Sequence, residues 1–248
     1  MKFLNGNKLR LVLLLAVATI VSACDSDSSA PVANPPAPPP PPPAASYTVT
    51  FTNLTNAQPL SPVGVIAHQD GYAVFAVGSP ASQGLEGLAE GGDNSALLAE
   101  ANADATVVVT NSGAAPIGPG GSESITLDVL DSDRPGLRIS ATTMLVNTND
   151  AFTGINGVAV DTLAVGDTMR FDSIAYDAGT EADTELAAEI PGPVGGGEGF
   201  NAARDDQGDR VSMHSGVISQ DDGLVTSDLT GQHRFDNPVV RVLIERTL

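Results

Sequence analysis

Nine of the residues from Pro31 to Pro43 are proline, the last six consecutively, and no helix or sheet interior tolerates such a run. The stretch must be polyproline II, which rises ~3.1 Å per residue, so it reads as a semi-rigid spacer of roughly 40 Å. Any packed structure therefore lies after it. About 200 residues remain from Ser46, enough for one domain with a full core. Within them Gly and Pro are frequent, Trp is absent, and Val and Thr recur in short alternating runs. That composition suits short strands and many turns better than long helices.

The residues before the spacer have a different character. Lys2, Lys8 and Arg10 form a positive segment, and Leu11 to Val21 is an apolar run interrupted only by Thr19. The run is too short to span a bilayer as a permanent helix, so residues 1–23 read as a cleavable export signal. It ends in Val21-Ser22-Ala23-Cys24, which resembles a bacterial lipobox: a branched apolar residue, two small residues, then a cysteine that is acylated and becomes the new N-terminus. Cys24 is the single cysteine of the chain and stands at the cleavage point. Residues 24–45 are then a lipidated cysteine and a disordered proline-rich linker. A diacylated glycerol with a further acyl chain anchors stably, which one chain would not. The protein is thus expected to be exported and held on the bacterial cell envelope, in the periplasm or at the surface. With Cys24 acylated, no disulfide forms within the chain, and stability must come from the core or from a metal.

Residues 46–248 read as the folded domain. Tyr47-Thr48-Val49-Thr50-Phe51-Thr52 alternates apolar side chains and threonine with period two, a half-buried strand. Further strands are expected at Tyr72–Val77, Thr106–Thr110, Ser124–Leu130, Leu137–Ala141, Thr168–Ala175, Val211–Ile218 and Val239–Arg246. One region breaks the pattern. Ser79-Pro80 offers an N-cap and a proline for the first helical turn, Leu85, Leu88 and Ala89 recur at helical spacing, and Gly91-Gly92 stops the helix. Asp93 caps a second short helix through Leu97, Leu98 and Glu100. The expected fold is all-β: an antiparallel β-sandwich with one short helical excursion.

All 30 acidic residues follow the signal, and only eight arginines and no lysine accompany them, so the processed chain carries a formal charge of 8 − 30 = −22. Nucleic-acid binding is excluded, because phosphate contacts need clustered Lys or Arg. An acidic, lysine-free surface keeps a protein soluble in salty surroundings, where self-repulsion is screened. His68, His214 and His233 are the only imidazoles, and no Gly-x-Ser-x-Gly elbow surrounds a serine. Each histidine reads as a capping or core-rim residue. Zinc-type Cys and His spacings are absent, and Gly195-Gly196-Gly197-Glu198-Gly199 lacks the lysine of a phosphate-binding loop. Two function classes remain: a non-catalytic recognition or adhesion module, or a hydrolase of envelope or extracellular polymer working through a carboxylate pair.

Three blocks carry a resemblance to one family. Ser61-Pro62, His68, Asp70, Tyr72, Phe75, Gly78 and Ala81-Ser82-x-Gly84-Leu85-x-x-Leu88-Ala89-Glu90-x-Gly92-Asp93 resemble the early block of the spondin N-terminal domain. Thr143-Met144-Leu145-Val146-x-Thr148-Asn149-Asp150-Ala151-Phe152-Thr153-Gly154 resembles its Met-Leu-x-Pro-Ser-x-Asp-aromatic-x-x-Gly segment. Tyr176-Asp177-Ala178-Gly179-Thr180-Glu181 is similar to its aromatic-Asp-Ala-Gly-Thr-acid turn. Order and spacing agree across the domain. The resemblance implies a C2-like antiparallel β-sandwich holding one calcium ion, in a module of secreted matrix and adhesion proteins that bacteria carry in small exported proteins. Phe152 and Tyr176 stand where the animal domains usually have Trp, and Glu181 stands where Asp is usual.

The expected calcium ligands are Asp150, Asp177 and Glu181, with Asp183 in reserve. Asp177 and Glu181 are four apart, and Gly179 lets the intervening loop fold back so that both carboxylates face inward. Asp150, from a separate loop, joins them as the resemblance to the family's metal-binding loops implies. Calcium takes six to eight hard oxygen ligands, which suits carboxylates with no imidazole or thiolate. Rival acid clusters stand at Asp205-Asp206-Asp209 and Asp221-Asp222. The partner is expected to be an extracellular or periplasmic protein or glycan.

Overall fold

The computed structural model describes residues 45–202 and 208–248. The export signal, Cys24 and the proline spacer lie outside the described residues, as do Asp205 and Asp206.

Strand β1 (Ala45–Asn53) shows how the alternation becomes a layer. Tyr47, Val49 and Phe51 are fully buried, while Thr48, Thr50 and Thr52 line the other face. The apolar row meets its counterparts across the ladder, with Val49 opposite Ile125 and Ile244, and Phe51 opposite Val242. On the outer face the Thr50 and Ser124 hydroxyls lie 2.7 Å apart. The remaining strands, in chain order, are β2 (Gly64–His68), β3 (Val107–Ser112), β4 (Ser122–Val129), β5 (Arg138–Met144), β6 (Ala151–Ala159), β7 (Thr168–Ser173), β8 (Ala175–Asp177), β9 (Ser212–Met213) and β10 (Val240–Arg246). They form a four-stranded sheet in the order β4-β1-β10-β7 and a six-stranded sheet in the order β3-β2-β5-β6-β8-β9. Every pairing is antiparallel. Tyr47, Phe51, Leu127 and Ile244 of one sheet pack with Val65, Ile139, Ala141 and Ile155 of the other in a single core. The architecture is an all-β sandwich, as expected.

A second apolar layer covers the far side of the six-stranded sheet. Helices α1 (Gln83–Gly91) and α2 (Ser95–Ala103) place Leu85, Leu88, Ala89, Leu97 and Ala101 against Ile66, Met144 and Phe152. Strand β2 is thus buried on both faces, Val65 toward the sandwich and Ile66 toward the helices. Its continuous apolar run has no alternation to read, which is why it escaped the expected strands. Helix α1 starts later than Ser79-Pro80 implies. Ser82 is its N-cap, accepting from Leu85 N–H at 3.1 Å, and the Glu100 carboxylate of α2 accepts from Gly84 N–H and the Ser82 hydroxyl, each at 2.7 Å. A tertiary partner selects the cap. Gly92 closes the helix with φ 72, and Asp93 accepts from Ser95 N–H at 2.9 Å.

Two expected strands are replaced. Tyr72–Val77 is irregular: the Asn156 side chain accepts from Val74 N–H (3.1 Å) and donates to the Phe75 carbonyl (2.6 Å), so one amide does the work of a neighbouring strand. The segment is a plug, with Phe75 packed at 5.1 Å from Phe152 and 4.8 Å from Tyr176 between ring centroids. Val211–Ile218 keeps only Ser212–Met213 as strand, because the chain turns at Gly216 with φ 95. Strand β6 is not among the expected strands, and it contains two glycines, Gly154 and Gly157. At Gly154 an added Cβ would sit 2.0 Å from the Ala141 carbonyl oxygen, so glycine permits a close backbone approach where the β5–β6 register is irregular. Thr168–Ala175 divides between β7 and β8, which belong to different sheets.

The strand directions fix the poles. β1 begins beside the end of β6, where the Tyr47 hydroxyl donates to the Val160 carbonyl. It ends at Asn53, whose side chain donates to the Gln58 and Ile117 carbonyls. Gln58 in turn exchanges two hydrogen bonds, both 3.1 Å, with the backbone of Asn147. The loop that carries Asp150 is therefore at the end of the sandwich opposite Ala45.

Candidate metal centre

The loop between β5 and β6 is polar yet buried: Asn147, Thr148, Asn149 and Asp150 are all at most 3 % exposed. It survives burial because its groups are tied internally. The Thr148 hydroxyl donates to the Leu145 carbonyl (2.6 Å) and accepts from Ala151 N–H (3.1 Å). Asn149 accepts from Glu185 N–H at 3.2 Å. These bonds set Asp150 at the start of β6. The adjacent ladder sets Asp177, since Ala151 pairs with Asp177 and Phe152 with Tyr176. The Phe152 and Tyr176 rings stack with centroids 5.4 Å apart at 26°, so the aromatic packing expected at these positions is retained.

Beyond Asp177 the chain turns back. Gly179 has φ 73, and a Cβ there would come within 2.5 Å of the Arg210 carbonyl oxygen. Asp177 accepts from Gly179 N–H at 2.7 Å. The next two backbone N–H groups, of Thr180 and Glu181, both point to Asp150 Oδ2 at 2.9 and 3.2 Å. Asp150 Oδ1 is buried without a hydrogen-bond partner. One oxygen from each of Asp150, Asp177 and Asp183 lies within 4.8 Å of the other two. The carboxylate that joins Asp150 and Asp177 is that of Asp183, the reserve residue. Glu181 is 5 % exposed and outside this group; its contribution to Asp150 is its backbone N–H.

The Asp150 and Asp177 carboxyls do not both ionise cheaply here. Burial, then the charges of Asp177 and Asp183, push the Asp150 carboxyl up to about 7 despite its two backbone hydrogen bonds. Burial and then Asp183 raise Asp177 as well. Glu185, 2 % exposed and accepting from Ile218 N–H at 2.9 Å, is pushed up to about 7, again chiefly by burial. His214, read from sequence as a core-rim residue, packs beside Asp183 with Nε2 3.6 Å from Oδ1. No spacing in the sequence marks it, because thirty residues separate the two in the chain.

A calcium ion holds its oxygens at 2.3–2.6 Å, so two of its ligands stand at most about 5 Å apart. Oxygens within 4.8 Å of one another fit that shell, and the partnerless Asp150 Oδ1 is the kind of atom a cation satisfies. The group contains neither imidazole nor thiolate, which disfavours zinc. The rival cluster is spent on structure. Asp222 caps a one-turn helix through the Ser219 hydroxyl (2.7 Å) and pairs with Arg234 (2.8 Å), while Asp221 accepts from Gly231 N–H (3.0 Å). Two open grooves are lined by other residues: one by Gln83, Glu100 and Phe200, the other by Arg234, Phe235 and Asp236. Among the described residues no helix is long and apolar enough to cross a membrane.

A family model described as Spondin_N matches residues 46–189, which include all three blocks and all three carboxylates. No curated protein matches the chain.

Proposed function

The chain belongs to the spondin N-terminal domain family, a family of extracellular-type modules and not of enzymes, and from that premise we propose that it is an exported, lipid-anchored calcium-binding recognition module. The observation that carries the metal is the buried Asp150 carboxylate, tied by Oδ2 to two backbone N–H groups and left with a partnerless Oδ1 beside two further carboxylates. Asp150, Asp177 and Asp183 are its protein ligands, with carbonyls or water completing the shell. Calcium joins the β5–β6 loop to the loop after β8, and so rigidifies the pole opposite Ala45. The site at that pole is offered to an extracellular or periplasmic protein or glycan. A hydrolytic role has less support, since the family is one of extracellular-type modules.

Calcium at millimolar concentration is expected to raise the melting temperature of the wild type by mass action. Asp177→Asn should lose most of that shift and Asp221→Asn should keep it. Equal shifts in the two variants would refute the assignment. The anchor is tested separately. Intact-mass measurement of the membrane fraction should show loss of residues 1–23 and added acyl mass on Cys24, with Cys24→Ala unlipidated. Soluble, unmodified protein in both cases would end the anchoring proposal.

A further inference from the structure

His214 follows β9, and its backbone N–H donates to the Ala175 carbonyl of β8 at 3.1 Å, which fixes it beside the carboxylates. The residue is 3 % exposed and its ring lies against Phe235, with centroids 5.5 Å apart. Nδ1 accepts from Gly216 N–H at 2.9 Å, so the neutral imidazole carries its proton on Nε2. Nε2 is buried, makes no hydrogen bond, and faces Asp183 Oδ1 at 3.6 Å. Asp183 is the most exposed carboxylate of the three, with 31 % of its side chain open to solvent. Asp150 and Asp177 are each fixed by backbone N–H groups. The charged groups around the ring are Asp183, Asp177, Asp150 and Glu185, and the carboxylate nearest Nε2 is that of Asp183.

We infer that His214 is a positioning residue of the metal centre: its Nε2–H, 3.6 Å from Oδ1, steers the Asp183 carboxylate as the third ligand by electrostatic attraction, and its Nδ1 bond to Gly216 keeps the imidazole out of the coordination shell. The inference rests on the calcium reading above. It assigns a metal-site neighbour the usual outer-shell task, which is to orient a ligand that would otherwise sample several rotamers. It also gives the site a preference. A borderline cation that seeks imidazole nitrogen finds Nε2 protonated and the Nδ1 lone pair engaged, so the site offers oxygen alone.

The test combines calorimetric calcium binding with ¹⁵N spectra of histidine-labelled protein, both on the folded chain. His214→Phe keeps the ring packing and removes the donor, and its calcium affinity should fall on the order of tenfold. His214→Gln restores a donor and should recover most of the loss. In an Asp183→Asn background His214→Phe should add little. The imidazole spectrum of the wild type should show the Nε2-protonated neutral form, and its Nε2 signal should move on Asp183→Asn. Unchanged affinity in His214→Phe, an equal further loss in the Asp183→Asn background, or an Nδ1-protonated ring would overturn the inference. If the wild type gives no calcium heat, the calcium reading falls. The spectrum then decides the pairing alone: an Nε2 signal indifferent to Asp183→Asn overturns it, and one that moves upholds it.

Discussion

Asp150→Asn is expected to make the metal-free protein more stable and the calcium-loaded protein less stable, a crossing that few single substitutions produce. The carboxyl titrates near 7 when folded against an ordinary value of 3.8. An acid whose folded value is raised contributes stability that is complete below its unfolded value and is lost as pH rises through the folded one. Without metal, Asp150 therefore weakens the fold progressively between about pH 4 and pH 7, by on the order of 4 kcal/mol at higher pH. Asparagine removes the charge and keeps an acceptor for the Thr180 and Glu181 N–H groups, but its own amide needs a partner. The net gain at pH 8 should be about 1–2 kcal/mol, below what calcium adds to the wild type, or ~2–4 °C in melting temperature per kcal/mol. Calcium at a hundredfold excess over its dissociation constant should stabilise the wild type by about 2.7 kcal/mol and Asp150→Asn by almost nothing. Melting curves with and without calcium at pH 5 and pH 8 check both signs. A variant destabilised in the metal-free state at pH 8, or one that keeps the calcium shift, contradicts the account.

The second large effect concerns the fold. Gly154→Ala should abolish cooperative melting or cost at least about 3 kcal/mol, because its Cβ would meet the Ala141 carbonyl oxygen at 2.0 Å and Thr142 Cα at 2.9 Å, both backbone atoms held in the β5–β6 ladder. Gly157→Ala, three residues on in the same strand, has φ 64 and nothing within 4 Å of an added Cβ. It should cost only the left-handed penalty, roughly 1–2 kcal/mol. Thermal melts of the two variants compare steric contact with backbone strain. Equal losses would show that the close approach at Gly154 is not what demands glycine.

That glycine also marks where the sequence stops being readable. Strands β1, β4 and β10 face a core on one side and solvent on the other, so their alternation appears directly in Tyr47–Thr52 and Val240–Glu245. Strands β2 and β6 do not, because β2 is covered on both faces and β6 is interrupted by Gly154, where two backbones approach closely, and by Gly157 with its positive φ. The start of α1 depends on Glu100, a residue of the next helix that no local capping rule considers. At the candidate metal centre, Asp150 and Asp177 are legible as members of ordered family blocks. The third position is not, because Thr180 and Glu181 turn their N–H groups toward Asp150 Oδ2, and the carboxylate that reaches the group comes from two residues further on. Residue type alone cannot distinguish Glu181 from Asp183. His214 is less legible still, since its pairing with Asp183 depends on β9 closing against β8.

The proposed function requires one calcium ion held by Asp150, Asp177 and Asp183 in each chain. Calorimetric titration of calcium into chelator-treated protein at pH 7, repeated in buffers of different ionisation enthalpy, tests it most directly. One site per chain is expected, with proton release on binding, because the Asp150 carboxyl is partly protonated near that pH and must ionise to bind metal. That proton release should disappear at pH 9. No heat at millimolar calcium, or undiminished binding in Asp150→Asn, would contradict the proposal.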